Sequence, residues 1–159
     1  MDDKVTIETA RQSLERDYLN AQYHFVQFLT EHLVDVARSF NGDMTRMIVL
    51  AILGQATLAA LRNPPGEGAR GSMTASRIAD VARLDRETVR RKLKALAASG
   101  WVRQKPDRSW EIVADSAGET KVRRDLAPLD ARGLDRLARL YVALRPICEG
   151  PGGGERRST

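Results

Sequence analysis

Hydrophobic residues recur at helical spacing through the first forty residues. A first apolar stripe has alternating spacings of four and three residues and contains Leu14, Tyr18, Ala21, Phe25 and Phe28. A second stripe joins it after Leu19 and holds Val26, Leu29, Leu33, Ala37 and Phe40. This pattern predicts one long helix from about 5 to 40. A helix that is apolar on two sides needs two partners: one can be the protein's own core, and the other can be a second subunit.

A second helix is predicted over 44–62. Gly42 tolerates the left-handed conformation that ends a helix, so Asn41-Gly42 is read as the end of the first one. Asp43 is a suitable N-cap for the next. Residues 47–53 are nearly all apolar, which predicts a helix in the middle of the structure. The whole apolar stretch, 47–61, is shorter than the roughly 20 residues of a membrane span, so we expect a buried helix and no membrane segment.

Residues 73–115 combine two short helices with a hairpin. The apolar sides of these helices are predicted to be Ile78, Val81 and Leu84 in the first, and Val89, Leu93 and Leu96 in the second. Asp85 is the predicted N-cap of the second helix. Two short strands, 101–104 and 109–113, then flank a Pro-Asp turn. Two helices joined by a tight turn and followed by a hairpin are typical of a winged helix-turn-helix, whose second helix enters the DNA major groove.

The remaining segments complete the predicted organisation. Residues 63–72 contain two Pro and three Gly and are predicted to be a mobile linker. Apolar residues at helical spacing predict a last helix over about 129–145, ended by Pro146. The chain is therefore divided into an N-terminal helical dimerisation region (1–62), the linker (63–72), a DNA-binding unit (73–115), a C-terminal dimerisation helix (116–147) and a disordered tail (148–159). The fold class is mainly α with a small β-hairpin wing.

Two stretches resemble bacterial transcriptional regulators. The sequence RETVRRKL at 86–93 resembles the recognition helix of the MarR, GntR and Crp groups, and ASGWV at 98–102 resembles their entry into the wing. The arrangement of helices around a central winged helix-turn-helix is similar to that of the MarR family, whose terminal helices interlock in a homodimer. The Pro-Gly break at 63–72 departs from that family. The resemblance implies a bacterial regulator that binds double-stranded DNA as a homodimer. The charged and polar N-terminus, without the pattern of a signal peptide, predicts a cytoplasmic protein.

The positive charge is concentrated on the predicted DNA-binding unit. The net charge is +5 overall. Residues 1–62 hold six Lys/Arg and eight Asp/Glu, a net charge of −2, whereas residues 70–108 hold eleven and four, a net charge of +7. An excess of this kind on a motif of the right shape favours contact with phosphates over a merely solvated basic face.

The predicted DNA contacts follow from the geometry of the second helix. Recognition helices touch bases mainly through their N-terminal residues. The predicted groove-facing residues are Arg86, Glu87, Thr88, Arg90 and Arg91. Arg91 points away from the apolar stripe and is the candidate for a bidentate guanine contact, worth about 1–3 kcal/mol of discrimination. Glu87 can accept from cytosine or hold a neighbouring arginine in place.

Other side chains are assigned to the DNA backbone. The predicted phosphate contacts are Thr74, Arg77, Lys92 and Lys94. Lys105 and Arg108 at the hairpin tip either reach a minor groove or phosphates, or are simply solvated. Trp101 and Trp110 are expected to be packing residues rather than stacking platforms for bases.

No other chemistry is indicated by the sequence. It offers no set of nucleophile, base and acid, so we expect no enzyme and no cofactor. His24 and His32 are too far apart to ligate one metal ion, so no metal site is predicted. Cys148, the single cysteine, excludes an intramolecular disulfide. A small-molecule effector beside Tyr18, Tyr23, Phe25 and Phe28 is a further hypothesis; core packing is the alternative role of these aromatics.

Two rival functions remain open. In the first, the winged helix is a scaffold whose basic face docks an acidic protein. In the second, the protein is an architectural or RNA-binding protein that uses the same charge without reading bases.

Overall fold

The computed structural model describes residues 6–62 and 71–149, which form seven helices and a small antiparallel sheet. In chain order they are α1 (Ile7–Arg16), α2 (Tyr18–Ser39), α3 (Met44–Arg62), β1 (Ser72–Thr74), α4 (Ala75–Ala82), α5 (Arg86–Ala98), β2 (Val102–Gln104), β3 (Ser109–Ile112), α6 (Lys121–Asp125) and α7 (Ala127–Glu149). Helices account for 74% of these residues, so the predicted mainly-α class is confirmed.

The chain divides into two compact units. Unit 1 takes the residues up to Asp35 and those from Leu129 onward, and unit 2 takes Val36–Pro128. Within unit 2, α3 contacts α4, α5 and the sheet.

The predicted helix over 5–40 is interrupted at Asp17. Its φ of −109° and ψ of 49° end α1, and its backbone N–H donates to the carbonyl oxygen of Ser13. The Asp17 carboxylate accepts hydrogen bonds from the Asn20 side chain at 2.9 and 3.1 Å. These bonds are between side chains and take no backbone donor. Aspartate nevertheless has a low helix propensity, which makes it a poor residue for a helix interior. The predicted end at Asn41-Gly42 is confirmed, with φ values of 52° and 80°.

The predicted bounds of α3 are confirmed, but its predicted burial is only partly right. Asp43 accepts a hydrogen bond from the Arg46 backbone N–H at 2.9 Å, as an N-cap does. Val49, Leu50 and Leu53 are buried, whereas Leu58 and Leu61 are 62% and 79% exposed. By length and composition α3 could cross a bilayer: its most apolar stretch of 18 residues has a mean hydropathy of 1.6, and 17% of that stretch is buried. A single helix of this kind in the described part of the chain is weak evidence for a membrane span. The described residues therefore do not indicate a clear membrane protein.

The core of unit 2 lies between α3, α4 and α5. Its fully buried side chains are Val49, Leu53, Ile78, Val89, Leu93 and Leu96. The prediction that Val81 joins this core is wrong, because Val81 is 51% exposed. The inner side of α4 is centred between Ile78 and Ala79. At about 100° per residue, Val81 is turned by about 110° from that direction, toward the edge of the buried face.

The sheet has one more strand than predicted. The hairpin of β2 and β3 pairs Val102 with Ile112 and Gln104 with Trp110. On the other edge of β3, β1 pairs Ser72 with Glu111, giving the order β1-β3-β2. The sequence predicts Ser72 to be the last residue of the linker, and the structure shows that it belongs to β1. Residues 63–70 of the predicted linker lie outside the described part of the chain.

The last helix extends beyond its predicted end. Pro146 lies inside α7, which continues through Cys148 to Glu149. Proline removes the N–H that would bond to the carbonyl of Val142, but Val142 is 62% exposed and solvent can satisfy that oxygen. A proline in the last turn therefore weakens the helix without ending it. The rest of the predicted tail, 150–159, lies outside the described residues.

Within unit 1, an ion cluster joins α2 to α7. The carboxylate of Asp35 accepts from Arg132 Nε at 2.7 Å and from Arg136 Nη1 at 2.7 Å. The side chains of Asp35 and Arg136 are only 13% and 14% exposed. Hydrogen bonds from Arg132 and Arg136 hold the pKa of Asp35 well below its ordinary value, because they favour the charged carboxylate.

Substitution Asp35→Asn is expected to make stability less dependent on acid pH. Because the folded pKa of Asp35 is below its unfolded value, its contribution is present above the unfolded pKa, about 3.9, and is lost as pH falls through the folded one. At pH 7 the variant should therefore melt at a lower temperature than the wild type, and the two melting temperatures should converge toward pH 2. Thermal unfolding across this range measures the effect. A difference that stays constant with pH would exclude this titration.

Candidate nucleic-acid interface

Side-chain caps set the starts of α4 and α5. Thr74 Oγ1 accepts the Arg77 backbone N–H at 3.2 Å, and Asp85 Oδ1 accepts that of Thr88 at 2.8 Å. Hydrogen bonds from Thr88 lower the pKa of Asp85, so its carboxylate is charged at neutral pH. Between the helices Arg83 adopts a left-handed conformation with φ of 53° and ends α4. The turn between α4 and α5 is therefore short, and the predicted N-caps Thr74 and Asp85 are confirmed.

The inner face of α5 determines which side chains point outward. Val89, Leu93 and Leu96 are completely buried, so the opposite side of the helix must face solvent. The predicted contact residues that are exposed on α5 are Arg86, Glu87, Arg90, Arg91 and Lys94, while Thr88 and Lys92 are half-buried. At the start of α4, its N-cap Thr74 and Arg77 are also exposed.

The basic residues of this region are mostly without acidic partners. Those that form no ion pair with any described residue are Arg77, Arg83, Arg86, Arg91, Lys94, Lys105 and Arg108. In contrast, every Lys and Arg of α6 and α7 forms one with a described carboxylate. The same chain thus neutralises its cations in one region and leaves them uncompensated in another, which favours an anionic partner for the second.

Glu87 has no strong partner on α5. Its carboxylate lies 3.9 Å from the Arg90 guanidinium, with side-chain exposures of 80% and 60%. An exposed pair at that distance contributes little to stability. Of the two roles predicted for Glu87, holding a neighbouring arginine applies weakly to Arg90. Within the described residues, Glu87 forms no ion pair with Arg91.

Lys92 differs from the other cations of α5. Its Nζ lies 2.7 Å from Asp43 Oδ2, and its side chain is 19% exposed. The sequence predicts a phosphate contact for Lys92, whereas the structure pairs its ammonium group with the carboxylate of Asp43, 49 residues earlier in the chain.

The hairpin tip is held in a defined turn. Asp107 Oδ1 accepts from the backbone N–H and the hydroxyl of Ser109 at 3.0 and 2.5 Å. Arg108 has φ of 65°, and its N–H donates to the Lys105 carbonyl at 2.9 Å. The exposed Arg108 and the half-buried Lys105 therefore sit on a shaped turn. At the strands behind it, Arg103 is paired with Glu111 at 2.7 Å.

Two tryptophans support the base of the hairpin, as predicted. Trp101 and Trp110 are 8% and 7% exposed. The Trp101 indole N–H donates to Asp125 at 2.7 Å, and its ring meets Phe40 edge-on with centroids 6.0 Å apart. Their rings are packed rather than available for stacking on bases.

Sequence reasoning missed one exposed cation of this region. Arg83 lies in the turn that precedes α5, beside the N-terminal end of that helix. The signal was its position between the last apolar residue of α4 and the N-cap Asp85, where a basic side chain is close to the predicted groove-facing set.

The aromatics considered for an effector lie in different surroundings of unit 1. Tyr18 and Tyr23 line an open groove of about 540 Å³ on α2, together with Leu19 and Val26. Phe28 stacks on His32 with centroids 5.6 Å apart, and Phe25 is 46% exposed. The described residues contain no group of three or more His, Cys, Asp and Glu side chains able to hold a metal ion.

Comparison with known proteins does not assign this interface. The chain matches no protein family, no curated protein and no solved structure.

Proposed function

We propose that the protein is a sequence-specific DNA-binding transcriptional regulator that uses residues 73–115 as a winged helix-turn-helix. The observation that carries this proposal is the exposed outer side of α5, whose Arg86, Arg91 and Lys94 lack acidic partners among the described residues. Phosphate contacts supply a large share of the affinity in protein–DNA complexes, and uncompensated cations on an exposed helix face are suited to them.

Base reading is assigned to the N-terminal half of α5. Arg91 is on the side opposite the buried Leu93 and Val89, where its planar guanidinium can meet guanine O6 and N7 in a bidentate contact. Arg86, Glu87, Thr88 and Arg90 complete the groove-facing set. Thr74, Arg77 and Lys94 serve the flanking phosphates.

The hairpin acts as the wing in this proposal. Its tip presents Arg108 on a turn fixed by Asp107, so the cation is carried at a defined place rather than on a loose loop. Lys105 adds a second charge nearby. We expect both to meet phosphates or an adjacent minor groove.

The functional unit is proposed to be a homodimer. In unit 1 the outward sides of α2 and α7 are apolar: the exposed residues are Leu19, Tyr23, Val26, Leu33, Leu134, Leu137, Tyr141 and Val142. Among the described residues of this unit, the buried side chains are Ser13, Ala21 and Leu129. A unit with so small a core and so large an apolar surface is stabilised when a second copy covers that surface.

This assembly gives the proposal its geometry. Two copies related by a two-fold axis would occupy two half-sites about one helical turn apart, roughly 34 Å. The MarR-like arrangement, the cytoplasmic location and the absence of enzymatic activity belong to the same proposal. A small-molecule effector in the α2 groove of about 540 Å³ is a secondary part of it.

Titration of mixed-sequence duplex DNA, duplex RNA and an acidic peptide at several salt concentrations tests the first step. We expect binding to duplex DNA whose logarithmic affinity falls linearly with the logarithm of the salt concentration. Affinity for the acidic peptide alone would support the scaffold function instead. Equal affinity for DNA and RNA would support an architectural or RNA-binding protein.

A further inference from the structure

An ion pair connects the middle of α5 to the start of α3. Lys92 Nζ donates to Asp43 Oδ2 at 2.7 Å, and the two side chains are 19% and 32% exposed. Burial raises the pKa of Asp43, but hydrogen bonds from Lys92 and from the Arg46 N–H hold it below its ordinary value. The carboxylate is therefore charged at neutral pH. Because both side chains are partly shielded from solvent, water screens the attraction between their charges only in part.

The first turn of α3 also contacts the C-terminal end of α5. Arg46 donates to Ser99 Oγ at 2.5 Å, and Ser99 is the C-cap of α5. The Arg46 guanidinium also lies 5.1 Å from the centre of the Trp101 ring, just before β2. One turn of α3 thus contacts the middle of α5, its C-terminal end and the base of the hairpin.

We propose that Asp43 and Lys92 are positioning residues, which fix the orientation of α5 for base reading, and that Lys92 is not a phosphate contact. This inference rests on the proposed DNA-binding function. To reach a phosphate, the Lys92 ammonium would have to leave Asp43 and strand a half-buried carboxylate, which is unfavourable. Fixing a helix at two points along its length limits its tilt, and a bidentate base contact tolerates little tilt.

Three variants separate positioning from phosphate contact. Lys92→Met removes the cation and keeps most of the side-chain stem. Asp43→Ser retains a good N-cap for α3 but is too short to reach Lys92. Lys94→Met is the matched control, because Lys94 is exposed on the same helix and forms no ion pair with a described residue. The probes are a duplex obtained by selection with the wild-type protein and a scrambled duplex of the same length.

The first readout is the affinity for the selected duplex divided by the affinity for the scrambled duplex. The second is the slope of the logarithm of affinity against the logarithm of the salt concentration. We expect Lys92→Met and Asp43→Ser each to lower the affinity ratio by roughly threefold to thirtyfold, and the double variant to lower it no further than the single variants. The salt slope should stay unchanged for Lys92→Met and fall by about one for Lys94→Met. Circular dichroism checks that each variant is folded; if Lys92→Met is not, Asp43→Ser decides alone.

Other outcomes overturn the inference. A salt slope that falls by about one in Lys92→Met, with tighter DNA binding by Asp43→Ser, would make Lys92 a phosphate contact. Unchanged affinity ratios in both variants would remove the positioning role but leave the proposed function intact. A wild-type protein without sequence preference would overturn the proposed function and this inference together.

Discussion

Replacement of Leu93 by alanine is expected to lower the free energy of unfolding by about 2–5 kcal/mol. Leu93 is completely buried between α3, α4 and α5, and its neighbours Val89 and Leu96 on the inner face of α5 are buried to the same degree. Alanine removes apolar contacts and leaves a cavity that a close-packed core refills only in part. Urea unfolding monitored by circular dichroism measures the loss.

Val81→Ala is the matched control for this substitution. It shortens an apolar side chain on α4, but Val81 is 51% exposed and lies outside the core. Its effect should stay within about 0.5 kcal/mol. Equal losses in the two variants would contradict the packing described for unit 2.

Replacement of Val26 by glutamate is expected to convert a dimer into a monomer at micromolar concentration. Val26 is 45% exposed and lines the apolar groove on α2 with Leu19 and Tyr23. A carboxylate in the centre of a dimer interface would be buried without a partner, at a cost of several kcal/mol. Sedimentation velocity gives the mass of each variant, and circular dichroism shows whether it stays folded.

Gln12→Glu is the control for the dimer experiment. It adds the same charge on α1, where Gln12 is exposed and does not line the groove that contains Val26. We expect this variant to remain a dimer. A wild-type protein that is monomeric at micromolar concentration would contradict the model of two half-sites.

The elements that follow from the sequence are those with strong local signals. The start of α3 is set by Gly42 and the N-cap Asp43, and the start of α5 is set by the N-cap Asp85. The inner face of α5 follows from the helical spacing of Val89 and Leu93, which are buried as expected. Local propensity, capping and periodicity agree at these positions, so little depends on distant contacts.

The features that the sequence did not predict depend on tertiary context. β1 has only three residues, and it is a strand because β3 offers an unpaired edge to Ser72. Lys92 and Asp43 are 49 residues apart, so no local pattern links them. The break at Asp17 and the continuation of α7 through Pro146 are not specified by hydrophobic spacing or composition.

Selection of binding sequences from a random duplex library, with wild type and Arg91→Ala run in parallel at fixed salt, tests the central claim most directly. We predict that the wild-type protein enriches an inverted repeat with half-sites about one helical turn apart. Arg91→Ala should lose preference at one matching position in each half-site, by about 1–3 kcal/mol. No enrichment by the wild-type protein, with weak binding that falls steeply with salt, would contradict sequence-specific recognition.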